Sequence, residues 1–351
     1  MVVHTDAPVN AEPPPAVLAE DEITASDAFY CRNHGAIPDI TPGSWRLRVG
    51  GTAGKPLTLT YDQLTTGFPV HEVVATLECA GNRRAELLRV RPIPGKEPWA
   101  QGAISTAVWQ GAALADVLRE AGVRSAAGLH VAFSGVDVAP ESSPVQVYGG
   151  SIPLDKAMSD EVLLAWRMNG EPLPRIHGGP VRLVVPGFIG ARSVKWLTEI
   201  TVQPFPSLNY FQAVDYRLLS AGVSPAPGVG IALSSLLLSC GILAPDDEAT
   251  VPAGPLTIGG YAIAEDTRRI ASVEVSTNGG SDWQSAELRP VRSRWAWRHW
   301  SLTVTAEPGP LRVTARVRTD TGTTHPESPA ALWNPAGYAN NSWPHIDLTV
   351  T

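Results

Sequence analysis

A cysteine closely followed by arginines is the first place in this sequence where chemistry could sit. The run Thr76-Leu77-Glu78-Cys79-Ala80-Gly81-Asn82-Arg83-Arg84 sets two guanidinium groups four and five residues past a thiol, across a turn of small residues. Positive charge near sulfur favours the thiolate, the form that ligates metals and attacks electrophiles. Taken alone, a single cysteine is more often a small core residue than a ligand. Other strings gather polar groups with glycine and proline. They are Tyr30-Cys31-Arg32-Asn33-His34, Asp137 with the later Tyr148-Gly149-Gly150-Ser151, and Met168 to Arg182 (MNGEPLPRIHGGPVR). Gly190-Ala191-Arg192-Ser193-Val194-Lys195-Trp196 and Asp215-Tyr216 follow. The motifs G-x-x-x-x-G-K-[ST], H-E-x-x-H, G-x-S-x-G and C-x-x-C are absent.

The elements that must position these residues are short. Gly and Pro number 32 each, which favours strands, turns and ordered loops over long helices. One helix is expected over Gly111–Ala121, with Leu114, Val117, Leu118 and Ala121 on one face and Gly122 as the stop. Ala165–Met168 reads as a strand entering the tight turn Asn169-Gly170, and Val181–Pro186 as another strand. The run 219–230 (LSAGVSPAPGVG) reads as a linker. Beyond it, 255–264, 271–277, 295–305 and 311–319 are period-2 strand candidates. In the last, Leu311, Val313, Ala315 and Val317 alternate with Arg312, Thr314, Arg316 and Arg318. Asn278-Gly279-Gly280 marks a turn. The class is α+β followed by an all-β, immunoglobulin-like sandwich.

Composition excludes several functions. Three cysteines cannot build a disulfide framework or a four-cysteine zinc or iron–sulfur site. A net charge of −7 does not suit a nucleic-acid binder. No run approaches the ~18 apolar residues that span a bilayer. Residues 1–25, with Pro13-Pro14-Pro15 and scattered acids, read as a flexible arm without signal-peptide character, so a cytoplasmic location is expected.

Together the C-A-G-N-R-R string (79–84), the M-N-G-x-P-L-P-x-x-H-G-x-P-x-R string (168–182) and G-A-R-x-V-K-W (190–196) resemble the sulfite oxidase family of molybdenum enzymes. The resemblance runs from about Phe29 to the C-terminus. It implies a molybdopterin-binding domain over 26–222 and an immunoglobulin-like domain over 223–351 that makes a homodimer. It also implies the molybdenum cofactor, with one pyranopterin dithiolene and Cys79 as the protein's metal ligand. Soft sulfur ligation suits such a metal. Cys31 and Cys240 match no ligand position and read as buried thiols. Tyr30, Arg32, Asn33, His34, Asp137, His177, Arg182, Ser193, Val194 and Lys195 match the family's pterin contacts. Arg182 and Lys195 can offset the phosphate charge, and Asp137, His177 and Asn33 can pair with the ring edge. Arg32, Arg84, Tyr216 and Trp99 match the substrate pocket, where arginine forks suit an oxyanion.

One departure concerns the substrate. Sulfite-oxidising members carry a third pocket arginine in a W-N-L-R-G segment, and here Trp333-Asn334-Pro335-Ala336-Gly337 puts alanine in its place. Arg298 is a candidate substitute, and a solvent-facing strand residue is its plainer reading. The reading is a molybdenum oxidoreductase that oxidises sulfite by oxygen-atom transfer. Without C-x-x-C-H no c-type haem attaches, and no haem is expected, so electrons go to a separate acceptor, a cytochrome or oxygen. Two alternatives stand: a nitrate or S-oxide reductase with the same cofactor, and a non-catalytic binding module.

Overall fold

The computed structural model describes residues 1–351 except 125, 126, 266 and 267. Its first part is built on two five-stranded sheets. One is antiparallel, in the order Glu171–Pro172, Leu163–Met168, Ile104–Ala113, Val70–Glu78, with Arg182–Val184 also pairing Leu163–Met168. The other runs Leu57–Thr60, Arg46–Gly51, Leu197–Gln203, His130–Ala139, Gln146–Pro153, and its Arg46–Gly51 and Leu197–Gln203 strands are parallel. One apolar core joins them, with Trp45, Leu47, Val131, Phe133, Leu183 and Val185 inside. Among the described residues, no strand run is interrupted by a long helix. The α-helices at Tyr61–Gly67, Arg84–Val90 and Leu114–Glu120 have seven residues each, as the glycine and proline content requires.

The second part holds two more sheets. Ser239–Ala244, Gly254–Ile263, Arg298–Ala306 and Glu287–Leu288 form one. Thr250–Val251, His345–Val350, Gly309–Thr319, Ile270–Ser276 and Gln284–Ser285 form the other. Both contribute to a single core, with Ile242, Ile258 and Ala262 from the first and Val273, Val313, Val317 and Leu348 from the second. The alternation expected over 311–319 is present, since Val313, Ala315 and Val317 are fully buried. Its basic face is matched across the sheet: Arg312 pairs Asp347 at 2.7 Å and Arg316 pairs Glu274 at 2.6 Å.

The turn Asn169-Gly170 also forms as expected. Both residues take positive φ (53° and 83°), and Met168 pairs Glu171 across it. Three expectations need correction. The helix over Gly111–Ala121 is shorter, because Gly111 to Ala113 belong to the strand Ile104–Ala113. A Cβ at Gly111 would lie 2.1 Å from the Leu164 carbonyl oxygen, so glycine lets the neighbouring strand close in. The flexible arm is instead ordered. Val2–Asp6 pairs Val9–Glu12 as a hairpin, followed by a helix at Pro15–Glu20 whose Leu18 is buried. The buried Glu12 carboxylate anchors it by accepting from the Ala100 and Gly102 amides, both at 2.8 Å. Residues 219–230 are not a plain spacer. Arg217–Leu218 and Ile231–Ala232 on either side pair with each other, and Leu233 and Leu236 still pack on the first core.

Candidate active site

Cys79 directly follows the strand Val70–Glu78, tied by its amide to the Ala103 carbonyl. The chain turns at once, with the Asn82 amide donating to the Cys79 carbonyl and Arg83 at φ 61°. The Gly81 amide points at the Cys79 sulfur, 3.5 Å away. The thiol opens on a cleft. Its walls include Tyr30, Arg32, Asn33, His34, Asp137, His177, Arg182, Ser193, Lys195 and Tyr216, which are far apart in sequence and all anticipated there. Phe29, Leu77, Tyr148, Gly190 and Ala191 complete it. Tyr148 was a missed site residue, although its Tyr-Gly-Gly string was visible. Its hydroxyl donates to the Ala191 carbonyl at 2.8 Å.

Each segment is held by a local device. Asp137 sits where the strand His130–Ala139 loses register, between Ser134 and Val138, against Gln146–Pro153. Such bulges re-aim a side chain. His177 ends a short 3₁₀ turn closed by Gly178 at φ 105°, and its Nε2 donates to the Ser26 carbonyl at 2.8 Å. Burial keeps that imidazole neutral and lowers its pKa from 6.5 to about 3. Gly190 is needed as glycine, because a Cβ there would lie 2.5 Å from the Tyr30 hydroxyl. The ordered N-terminal hairpin reaches the site too. Asn10 Oδ1 accepts from the Asn33 amide at 2.8 Å and from Arg32 Nη1 at 3.2 Å.

The electrostatics favour an anionic ligand. Arg182 is buried, and its guanidinium reaches only carbonyls among the described residues, His177 at 2.8 Å and Ser193 at 2.9 Å. Burial lowers it to about 10. Lys195 is half-buried and bonds the Asn33 side chain. Burial and then Arg182 pull it down to about 7. Burial lifts Asp137 to about 7, and its Oδ1 is a buried acceptor without a partner. A buried and a half-buried cation without a full counterion, beside an orphaned carboxyl oxygen, fit a group with a phosphate and a donor-rich ring edge. The thiol next to them fits a soft metal. The residues present therefore fit the molybdenum cofactor.

Three anticipated residues do not line the cleft. Val194 is fully buried in the first core. Trp99 is fully buried beside His4, ring centroids 4.8 Å apart. Arg84 turns to carbonyls, with Nε reaching Ala336 at 3.0 Å and Gly337 at 3.1 Å, and Nη1 reaching Glu97 at 2.7 Å. It docks the second part of the chain onto the cysteine turn. A further correction concerns the thiol. Burial raises the Cys79 pKa more than Arg84 and Arg32 lower it, so deprotonation must accompany metal binding. Arg298, the candidate substitute cation, donates to the Arg289 carbonyl on the second part's sheet. Cys31 and Cys240 are buried, and Cys240 lies 3.6 Å from His325.

Residues 34–211 match the oxidoreductase molybdopterin binding domain, and 231–351 match the Mo-co oxidoreductase dimerisation domain. Sulfite oxidase of Gallus gallus is 43% identical over 97% of this chain and 76% of its own length. The chain belongs to the sulfite oxidase family. Mitochondrial sulfite oxidase of Mus musculus is 42% identical over 99% of this chain, and the chain spans about 65% of that protein's length. The crystal structure of the sulfane dehydrogenase SoxCD from Paracoccus pantotrophus superposes with a TM-score of 0.80 at 27% identity, over 94% of this chain and 82% of that one. The family relationship accounts for a cysteine facing cations from three separate segments, Arg32, Arg182 and Lys195.

Proposed function

We propose that this sulfite oxidase family member oxidises sulfite to sulfate and passes the two electrons to a separate acceptor, a cytochrome or oxygen. The observation that carries the reading is Cys79 opening on one cleft with Arg32, Arg182 and Lys195 around it. The named relatives support it. When bound, the molybdenum cofactor supplies two-electron oxygen-atom transfer.

The protein's own groups bind, orient and hold protons. Arg182, Lys195, Asp137 and His177 hold the pterin end, and Cys79 holds the metal. Arg32 draws the oxyanion in. Burial opposes its charge, but Tyr216, Glu97 and Cys79 outweigh that and raise its pKa. Tyr216 Oη lies 2.8 Å from His34 Nε2, which fixes the phenol on the substrate side. Burial, with Arg32, keeps His34 neutral. We also propose that the two facing C-terminal sheets form an immunoglobulin-like sandwich through which two copies of the chain pair.

The test is molybdenum content and sulfite-dependent reduction of a one-electron acceptor, measured on one preparation. About one molybdenum per chain with turnover is expected, and both should vanish in Cys79→Ser. A fully molybdated protein without turnover at millimolar sulfite refutes the substrate. A second reading, a nitrate or S-oxide reductase, rests on Ala336. Reduced viologen with a panel of oxides separates it from the first.

A further inference from the structure

Beside the cleft lies a second, surface pocket that shares Arg32 with it and is also lined by Asn10, Lys96, Glu97, Glu141 and Asp215. The other cations of the site are engaged elsewhere. Arg182 and Lys195 line the inner cleft, and Arg84 is bound to three carbonyls. Arg32 and Lys96 are the cations of this surface pocket among its described lining.

Each carboxylate of the pocket has a partner. Glu97 lies 3.5 Å from Arg32, Glu141 contacts His34, and Asp215 lies 2.6 Å from the Lys96 ammonium. An ammonium has three donors. Lys96 directs one at Asp215 and one at the Tyr338 hydroxyl, 3.2 Å away. Its side chain is a quarter exposed and lines this pocket, which leaves the ammonium one donor for a ligand there. Its position is fixed from below, because Lys96 lies over the Tyr338 ring and that ring stacks on Tyr216 at 5.3 Å. The ammonium is thus held one stacked ring from the phenol at the reaction centre, in the same pocket as Arg32.

We propose that Lys96 is a substrate-binding cation, donating its third N–H to an incoming oxyanion while Arg32 holds the anion from the other side. This rests on the sulfite reading above. The experiment uses the molybdenum-loaded protein as wild type, Lys96→Met, Lys96→Arg and Asp215→Asn. It measures KM and kcat for sulfite and, separately, sulfate binding by calorimetry.

Loss of one charge-assisted hydrogen bond predicts that Lys96→Met raises KM and the sulfate Kd about tenfold each, with a smaller change in kcat. Lys96→Arg should restore both to within about threefold. Unchanged KM and sulfate affinity in Lys96→Met overturn the proposal. So does a matching loss of Tm in Lys96→Met and Asp215→Asn without any KM change, which would mark a structural ion pair. Should Lys96→Met fail to fold, Lys96→Gln carries the same comparison. A wild type that binds sulfate but does not turn over sulfite refutes the substrate reading alone, and the calorimetry still decides the role of Lys96.

Discussion

Asn10 offers a direct measure of how far the N-terminal hairpin supports the substrate side. Its side chain is buried and makes four hydrogen bonds. Oδ1 accepts from Arg32 and the Asn33 amide, and Nδ2 donates to Glu97 at 3.1 Å and the Pro8 carbonyl at 3.2 Å. In Asn10→Ala the Asn33 amide stays buried without this acceptor, a cost of about 1–3 kcal/mol. The small cavity left behind adds to it. For a chain longer than 250 residues this is a Tm drop of a few degrees, since roughly 2–4 °C per kcal/mol applies at 150–250 residues. Arg32 keeps the Asn33 carbonyl at 2.6 Å and the Glu97 carboxylate at 3.5 Å but loses the Asn10 acceptor that holds it between them. It should swing toward the carboxylate, raising the sulfite KM several-fold while molybdenum content holds. Calorimetry, metal analysis and steady-state kinetics on one preparation read all three. A variant with wild-type KM and a Tm shift under about 1 °C would refute the claim that the hairpin orients the arginine.

Three further outcomes follow from the geometry. Ala336→Arg should lower the sulfite KM, because it returns a guanidinium to the segment whose carbonyl already receives Arg84 at 3.0 Å; an unchanged or higher KM means the charge is supplied elsewhere. His177 has a folded pKa near 3 against an ordinary 6.5, so the unfolded chain binds the extra proton and stability falls as pH drops from about 6.5 toward 3. Denaturant titrations of the apoprotein should show that loss, and His177→Gln, which can still donate to the Ser26 carbonyl, should reduce the slope by up to about 1.4 kcal/mol per pH unit. An identical slope in the two proteins would mean that His177 is protonated in the native state. Glu12→Gln should lower Tm by weakening the charge-assisted acceptor of the Ala100 and Gly102 amides, and an unchanged Tm would show the hairpin is held elsewhere.

The residues legible in sequence were those whose type states their chemistry. Cys79, Arg182 and Lys195 stand out as a thiol and two cations in glycine-rich strings, and the fold brings them onto one cleft. Strands with clean alternation were legible too, because period 2 over Leu311 to Val317 has a single physical reading on a half-buried sheet. The failures share a cause, which is that long-range partners override local pattern. Nothing in Val9-Asn10-Ala11-Glu12 announces that Glu12 will meet two amides some ninety residues away, so a polar, proline-bearing stretch read as loose. Gly111 to Ala113 carry the small residues of a helix start, but the strand Leu163–Met168 claims them.

Arg84 makes the same point at the site itself. Its type suggested an oxyanion contact, yet its acceptors are backbone carbonyls, Glu97 nearby in the chain and Ala336 and Gly337 of the second part. An arginine next to a reactive cysteine can therefore act as a docking residue. The C-terminal part then contributes to the active site through its backbone, by receiving Arg84, as well as through the Tyr338 ring stacked on Tyr216. Because both contacts come from the run 336–338, a substitution there should change substrate kinetics before it changes the pairing of the two C-terminal sheets. Those sheets have their own core and do not depend on Ala336 or Tyr338.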